Sequence, residues 1–197
     1  TTAKGDVRLK NNSLYIKPLE STLKNLSGQF SFENGNLKSE PLTASWFNQP
    51  VNIDFTTTEG EKAYQVAVNL DGNWQPARMD VLPKPIEASV EGAVAWQGKV
   101  AIDLPYHAGA QYKVDITGDL KNLRSQLPAP LDKQAGQPLP VKLNVEGNLN
   151  SFALTGNAGG TNHFNSRWLL NRKLILDRAI WTTDSRSTPP LPEQTGV

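Results

Sequence analysis

An all-β fold of mostly antiparallel strands is predicted by three observations. Apolar residues alternate with polar ones in run after run, turn dipeptides separate the runs, and no stretch of ten or more residues carries a helical apolar stripe. The clearest runs are Tyr112, Val114, Ile116 and Val141, Leu143, Val145, each closed by a glycine, Gly118 or Gly147. Such alternation gives a strand one apolar and one polar face.

Taken in order, Val7 and Leu9 followed by Leu14 and Ile16 read as a hairpin turned at Asn11-Asn12. Phe30 and Phe32 lead to a second turn at residues 33–36, where Asn34-Gly35 is a strong hairpin signal. Leu42, Ala44 and Trp46 form the next run, then Val51, Ile53 and Phe55, then Tyr64, Val66, Val68 and Leu70 as its antiparallel neighbour. Pro76, Pro83 and Pro85 flank Met79 and Leu82, which suits a short helical or irregular crossover. Strand pattern resumes with Ile86, Ala88, Val90, Val94 and Trp96, turns at Gln97-Gly98, and continues through Val100, Ile102 and Leu104.

Between the two clearest runs, Leu120, Leu123 and Leu127 recur at three and four residues, the spacing of one or two helical turns that Pro128 and Pro130 stop. Leu123, Leu127 and Leu131 are therefore expected to pack as a lid or plug on the apolar face. Phe152 and Leu154, a glycine-rich turn at residues 156–160, residues 164–170 and, beyond a turn at Asn171-Arg172, residues 174–181 complete about a dozen strands. One domain over residues 1–184 and a Pro-rich flexible tail over residues 185–197 are expected.

Composition excludes several functions. Net charge is +1, which gives no electrostatic case for nucleic acid. The absence of cysteine removes disulfides, thiolate catalysis and cysteine-based zinc sites, a composition that suits an oxidising periplasm. No run of about 18 apolar residues could span a membrane as a helix, and Thr1 to Asp6 is too polar for a signal peptide, so a piece of a longer chain is expected. His107 and His163 lie near turn sequence without companion ligands and are expected at the surface, leaving no metal site and no cofactor. Asp54, Glu87, Glu91, Asp103, Asp115 and Glu146 fall mainly on the polar phase, as a solvated face requires, and nothing resembles an enzyme's constellation. Trp46, Trp96 and Trp168 are in phase with apolar neighbours and are expected to line a core or trough.

A sheet of this size presents dozens of apolar side chains, each worth roughly 1.5–3 kcal/mol when removed from water. Something must cover them. With no long helix to do so, the sheet must fold into a sandwich, close into a barrel, or curl into a trough occupied by an apolar ligand. Alternation alone leaves all three open.

The segment LRSQLPAPLDKQAGQPLPVKLNVEG, with Leu-Pro-x-Pro-Leu at residues 127–131 and Lys-x-Ala-Gly at residues 133–136, resembles the AsmA-like envelope proteins of Gram-negative bacteria. So does the beginning of the chain, whose strand, Leu-x-x-Leu-x-Gly, strand, Asn-Gly turn and strand follow that family's repeating unit. The resemblance covers essentially the whole chain. It implies a curled, mostly antiparallel sheet forming an open trough, a repeating β-groove with one or two short helices. It further implies a periplasmic segment of a protein anchored in the inner membrane, carrying phospholipid between the inner and outer membranes in support of the permeability barrier. Val66, Val68, Val90, Val114, Ile116, Leu143 and Val145 would then face phospholipid acyl chains, and membrane components at either end would be met through the full-length parent. The other reading of the residues is a structural or protein-interaction β-sandwich module without ligand.

Overall fold

The computed structural model describes residues 1–17, 20–80, 82–183 and 186–196. Fourteen strands are found among them: β1 (Lys4–Ile16), β2 (Ser21–Glu33), β3 (Asn36–Ser39), β4 (Leu42–Trp46), β5 (Gln49–Glu59), β6 (Ala63–Trp74), β7 (Val90–Glu91), β8 (Val94–Pro105), β9 (Gln111–Asp119), β10 (Arg124–Ser125), β11 (Pro140–Asn148), β12 (Ser151–Ala158), β13 (Asn162–Asn171) and β14 (Lys173–Thr182). Twelve of them form one sheet in the order β1-β2-β3-β5-β6-β8-β9-β11-β12-β13-β14, with β4 also bridging β2 and β5. Every neighbouring pair in this sheet is antiparallel. The remaining two, β7 and β10, make a small ribbon of their own.

This is neither a sandwich nor a closed barrel. Among the described residues no second large sheet stacks on the first, and β1 and β14 do not pair with each other. The surface is correspondingly large. A compact monomer of 21.6 kDa exposes about 9,200 Å², whereas this chain exposes 13295 Å². A single curled layer accounts for the difference, because neither face is covered throughout.

The core is concentrated at one place. Leu23, Leu42, Ala44, Val51, Ile53 and Trp74 are buried together, with Leu70, Met79 and Trp96 among the partly buried residues packed on them. Irregular backbone produces this closure. Register shifts interrupt β1 against β2 and β2 against β4, and the strand between β2 and β5 is broken into β3 and β4 at residues 40–41. Bulges and breaks of this kind bend a sheet locally, so the apolar faces of β2, β4 and β5 turn toward one another.

Several local expectations are corrected here. Asn11-Asn12 does not turn a hairpin: β1 runs straight through it, and the extra residue is absorbed as a bulge. Asn11 takes φ 50° there, and its N–H donates to Ser27 Oγ at 3.0 Å. Gln97-Gly98 is likewise no turn but the interior of β8, with Gly98 opposite both Leu70 and Ile116. Residues 86–88 are not strand. Lys84–Glu87 is a single helical turn, α1, which follows a 3₁₀ turn at Pro76–Arg78.

No helix forms at residues 120–127. Leu123 N–H donates to Leu120 O at 2.9 Å, giving one turn, and Arg124–Ser125 then becomes β10, paired with Val90–Glu91 of β7. The prolines that follow prevent a further turn from propagating. His163 also departs from expectation, since it is 5 % exposed within β13. Residues 186–196 lie along β13 and β14: Asn165 donates to Pro189 O at 3.1 Å, Arg178 to Pro192 O at 3.2 Å, and Gly196 bridges Arg178 in parallel. Residues 184, 185 and 197, which include the expected start and end of the tail, lie outside the described residues.

Candidate functional site

Directly opposed residues of an antiparallel ladder share a face, so the register traces one apolar surface across the sheet. At one level Phe55 pairs with Val68, Val68 with Val100, Val100 with Val114, Val114 with Val145, and Val145 with Leu154. Two residues along, Ile116 pairs with Leu143. In the other direction Val66 pairs with Ile102 and Ile102 with Tyr112. From β5 to β13 seven strands carry this face, on the order of 30 Å at the usual strand spacing.

At these levels the face is not covered by protein. Val66, Val68, Val100, Ile102, Val114, Ile116, Leu143 and Val145 are all half-buried rather than buried. Their own neighbours account for that partial burial. On the opposite face even the short Ala67 and Ala101 are exposed, and Lys113 pairs with Glu146 across the ladder at 3.6 Å. Burial lifts the Tyr112 phenol above its ordinary value of about 10, as expected where a polar tip stands at an apolar surface.

Glycines and aromatic rings fit together on this face. Gly72 lies opposite Trp96, and a Cβ there would stand 2.9 Å from the indole nitrogens of both Trp74 and Trp96. Gly156 lies opposite Phe164, whose ring occupies the space a side chain would need. Trp74 and Trp96 meet edge to face with centroids 4.8 Å apart, and Trp74 Nε1 donates to Pro50 O at 2.7 Å. Trp96 Nε1 is buried without a hydrogen-bond partner. Phe152 and Trp168 stack at 6.1 Å.

At one end of the strands two long crossovers form a cap. Residues 75–93 connect β6 to β8, residues 120–139 connect β9 to β11, and both leave the end marked by the Trp74–Val94, Ala95–Asp119 and Pro140–Asp119 pairs. They are fastened together by the β7–β10 ribbon, by Gln126 N–H to Ser89 O at 2.9 Å, and by the close approach of Gly92 to Asn122 and Leu123. Gly92 adopts φ +108°, and the contact leaves no room for a Cβ.

Lys133 fixes the second crossover from inside. Its ammonium is buried and donates to the carbonyls of Gln134 at 2.9 Å, Leu123 at 3.0 Å and Lys121 at 3.4 Å. Gly136 N–H adds a bond to Lys121 O at 2.7 Å. The Lys-x-Ala-Gly motif is therefore a structural staple. Of the expected lid residues, Leu123 is buried within the cap, Leu127 is half-buried, and Leu131 is 50 % exposed.

The structure thus brings Val66, Val68, Val114, Ile116, Leu143 and Val145 onto one continuous surface. Val90 is not with them, because it belongs to the ribbon in the cap and pairs with Ser125. Sequence reasoning missed Val100, Ile102 and Leu154 as members of the same surface, although their alternation was visible. Two shallow hollows, one of about 820 Å³ reaching Lys113, Glu146, Arg167 and Leu191, lie largely on the polar face and are open and mixed in charge. No group of acids and histidines suited to a metal occurs among the described residues. No helix there is long and apolar enough to cross a membrane.

Comparison with known proteins gives these features a context. The family model described as YhdP protein matches residues 1–197. A curated relative, the intermembrane phospholipid transporter YhdP of Escherichia coli strain K12, is 69 % identical over 196 residues. The match covers 100 % of this chain and 16 % of the relative, so the chain spans about a sixth of that protein's length. No solved structure matches. By a family match that runs from its first residue to its last, on an all-β curled sheet of the kind described above, the chain belongs to the YhdP protein family.

Proposed function

We propose that this chain is a segment of a bridge-like lipid transport protein whose apolar face carries phospholipid acyl chains between two membranes. One observation supports the reading above all: an apolar surface seven strands wide is left half-exposed by the folded chain. Soluble monomers rarely leave contiguous apolar patches beyond a few hundred Å² without a binding role. A hydrocarbon chain covers such a face without leaving polar groups unpaired, since the uninterrupted ladders of β6, β8, β9 and β11 already engage the backbone there. The E. coli relative's description as an intermembrane phospholipid transporter agrees with this chemistry.

On this reading Val66, Val68, Val114, Ile116, Leu143 and Val145 contact acyl chains, with Val100, Ile102 and Leu154 beside them. Leu123 and Leu127 belong to a cap that closes one end of the strands. Val90 supports the cap. The setting is the periplasm, within a longer parent anchored in the inner membrane and meeting membrane components at each end. No step of catalysis and no cofactor enters the reading.

The test is lipid capture. Photo-crosslinking residues placed at Ile116 and Val145 are expected to trap phospholipid from vesicles, whereas the same residues at Asp115 and Asn144 on the polar face are expected to trap none. Absence of lipid adducts at Ile116 and Val145 would overturn the proposal. Equal capture on both faces would show adsorption rather than a path.

A further inference from the structure

The two ends of the strands differ in a way that orients a bound lipid. At the cap end the apolar face is overlaid by Met79 and closed by the β7–β10 ribbon and Leu123. At the other end the hairpin tips leave it bare. Among the described residues five exposed large apolar side chains lie there: Leu104 and Tyr106 at the β8–β9 tip, Leu149 at the β11–β12 tip, and Leu170 and Leu174 at the β13–β14 tip. The latter two tips are joined by Leu170 N–H donating to Asn150 O at 2.8 Å.

Charge adds a second feature to the bare end. Arg172 and Lys173 form the exposed turn between β13 and β14 and have no acidic partner among the described residues. In the cap, Lys84 faces Asp80 and Glu87, Arg124 faces Glu91 and Lys133 is buried on carbonyls, while Arg78 and Lys121 have no acidic partner among the described residues. The β5–β6 tip carries Glu59 and Glu61 beside Lys62, a net negative charge that disfavours a phosphate there. An apolar lip bordered by unpaired cations matches an amphiphile whose tails are hydrocarbon and whose head is anionic.

We infer that a phospholipid held by this face lies along the strands with its phosphate at the Arg172–Lys173 turn and its tails directed toward the cap. This orientation rests on the reading proposed above. Lengths agree with it. The hydrocarbon core of a bilayer is about 30 Å thick, so one tail reaches roughly 15 Å, or four to five strand residues at about 3.3 Å each. A tail entering beside Asn171 then covers Trp168, and its companion, entering beside Ser151 on the neighbouring strand, covers Phe152 and Leu154, next to Val145. It ends short of the cap.

The experiment uses the full chain, assigned by NMR, with phosphatidylglycerol spin-labelled either at the headgroup or near the end of an acyl chain. The headgroup label is expected to broaden amides of residues 148–150 and 170–174 and to spare residues 121–133, while the tail label broadens Val145, Phe152, Leu154 and Trp168. Headgroup broadening centred on the cap, with the tail label still on the apolar face, would overturn the orientation and leave the proposed function standing. A tail label that broadens no apolar-face amide would overturn both. Arg172→Glu with Lys173→Glu, at fully exposed positions, is expected to weaken phosphatidylglycerol binding several-fold more than phosphatidylcholine binding. Equal weakening, or none, would count against the cation pair as the phosphate's partner.

Discussion

The region around β2, β4 and β5 and the region from β8 to β13 share one sequence pattern and reach opposite outcomes. In the first, Leu42 and Val51 are each 2 % exposed, and Leu23, Ile53 and Trp74 are buried around them. In the second, Val100, Val114, Ile116, Leu143 and Val145 show the same alternation, yet none is buried. Composition does not separate the two; backbone regularity does. Bulged and broken strands let the first region fold its apolar face onto itself, whereas the uninterrupted ladders of β8, β9 and β11 keep the second open. A packed core and an open apolar surface are thereby assigned to different parts of one sheet, by the placement of a few irregular residues.

Four experiments would break or sharpen that contrast. The largest effect is expected for Leu42→Ala, which empties a fully buried site and should cost about 2–5 kcal/mol in urea denaturation; Leu143→Ala, at a half-exposed site, should cost about 1 kcal/mol or less. Equal losses would dissolve the distinction between the regions. Next, Lys133→Met should strand the carbonyls of Leu123 and Gln134 and destabilise the cap by about 1–3 kcal/mol, seen as faster amide exchange over residues 120–139 with β4 and β5 unaffected.

Ile116→Asp should then change thermal stability by no more than about 1 kcal/mol, because the carboxylate can reach water in the ligand-free chain. It should nevertheless abolish lipid capture, since an unpaired charge among hydrocarbon chains costs several kcal/mol. The matched polar-face change Asp115→Lys should leave capture intact. Unfolding of the Ile116→Asp chain would show that this face is a core after all.

The smallest effect concerns pH. The raised Tyr112 pKa means that the folded state holds the phenolic proton more tightly than the unfolded state does. Its contribution is therefore complete below about pH 10, the ordinary phenol value, and is lost as pH rises through the higher folded value. Tyr112→Phe should flatten the alkaline limb of the stability profile slightly and leave neutral pH unchanged.

Much of this organisation was legible in the alternation itself. Val66, Val68, Val114, Ile116, Leu143 and Val145 could be placed on one face because a period of two fixes the face of every residue in an unbroken strand. The turns at Asn34-Gly35 and Asn171-Arg172 were legible for a similar reason: left-handed φ values of 54° at Asn34 and 59° at Arg172 are local properties of tight turns. Asn11-Asn12 and Gln97-Gly98 were misread because the same residue types serve a bulge, or a glycine opposite a bulky partner, as readily as a turn. Which use prevails depends on the strand across the ladder. Leu120, Leu123 and Leu127 show a further limit, since their spacing suits a helix until β7 supplies an extended partner for residues 124–125. Val90 was misplaced by that same pairing, and nothing local to His163 announced that it would be buried.

On the proposed reading, the glycine and aromatic pairs bear on lipid movement as a kinetic matter. The ring seated over Gly156 fills a hollow that would otherwise admit the end of an acyl chain, and the glycine lets the ring lie low instead of standing proud of its neighbours. Both changes reduce corrugation. A hydrocarbon chain sliding across such a floor exchanges one set of dispersion contacts for another of nearly equal strength, each worth only about 0.1–0.2 kcal/mol. Friction, rather than affinity, is the property this pairing would set: a surface can hold lipid firmly in aggregate and still let it move, provided no single position holds it better than the next.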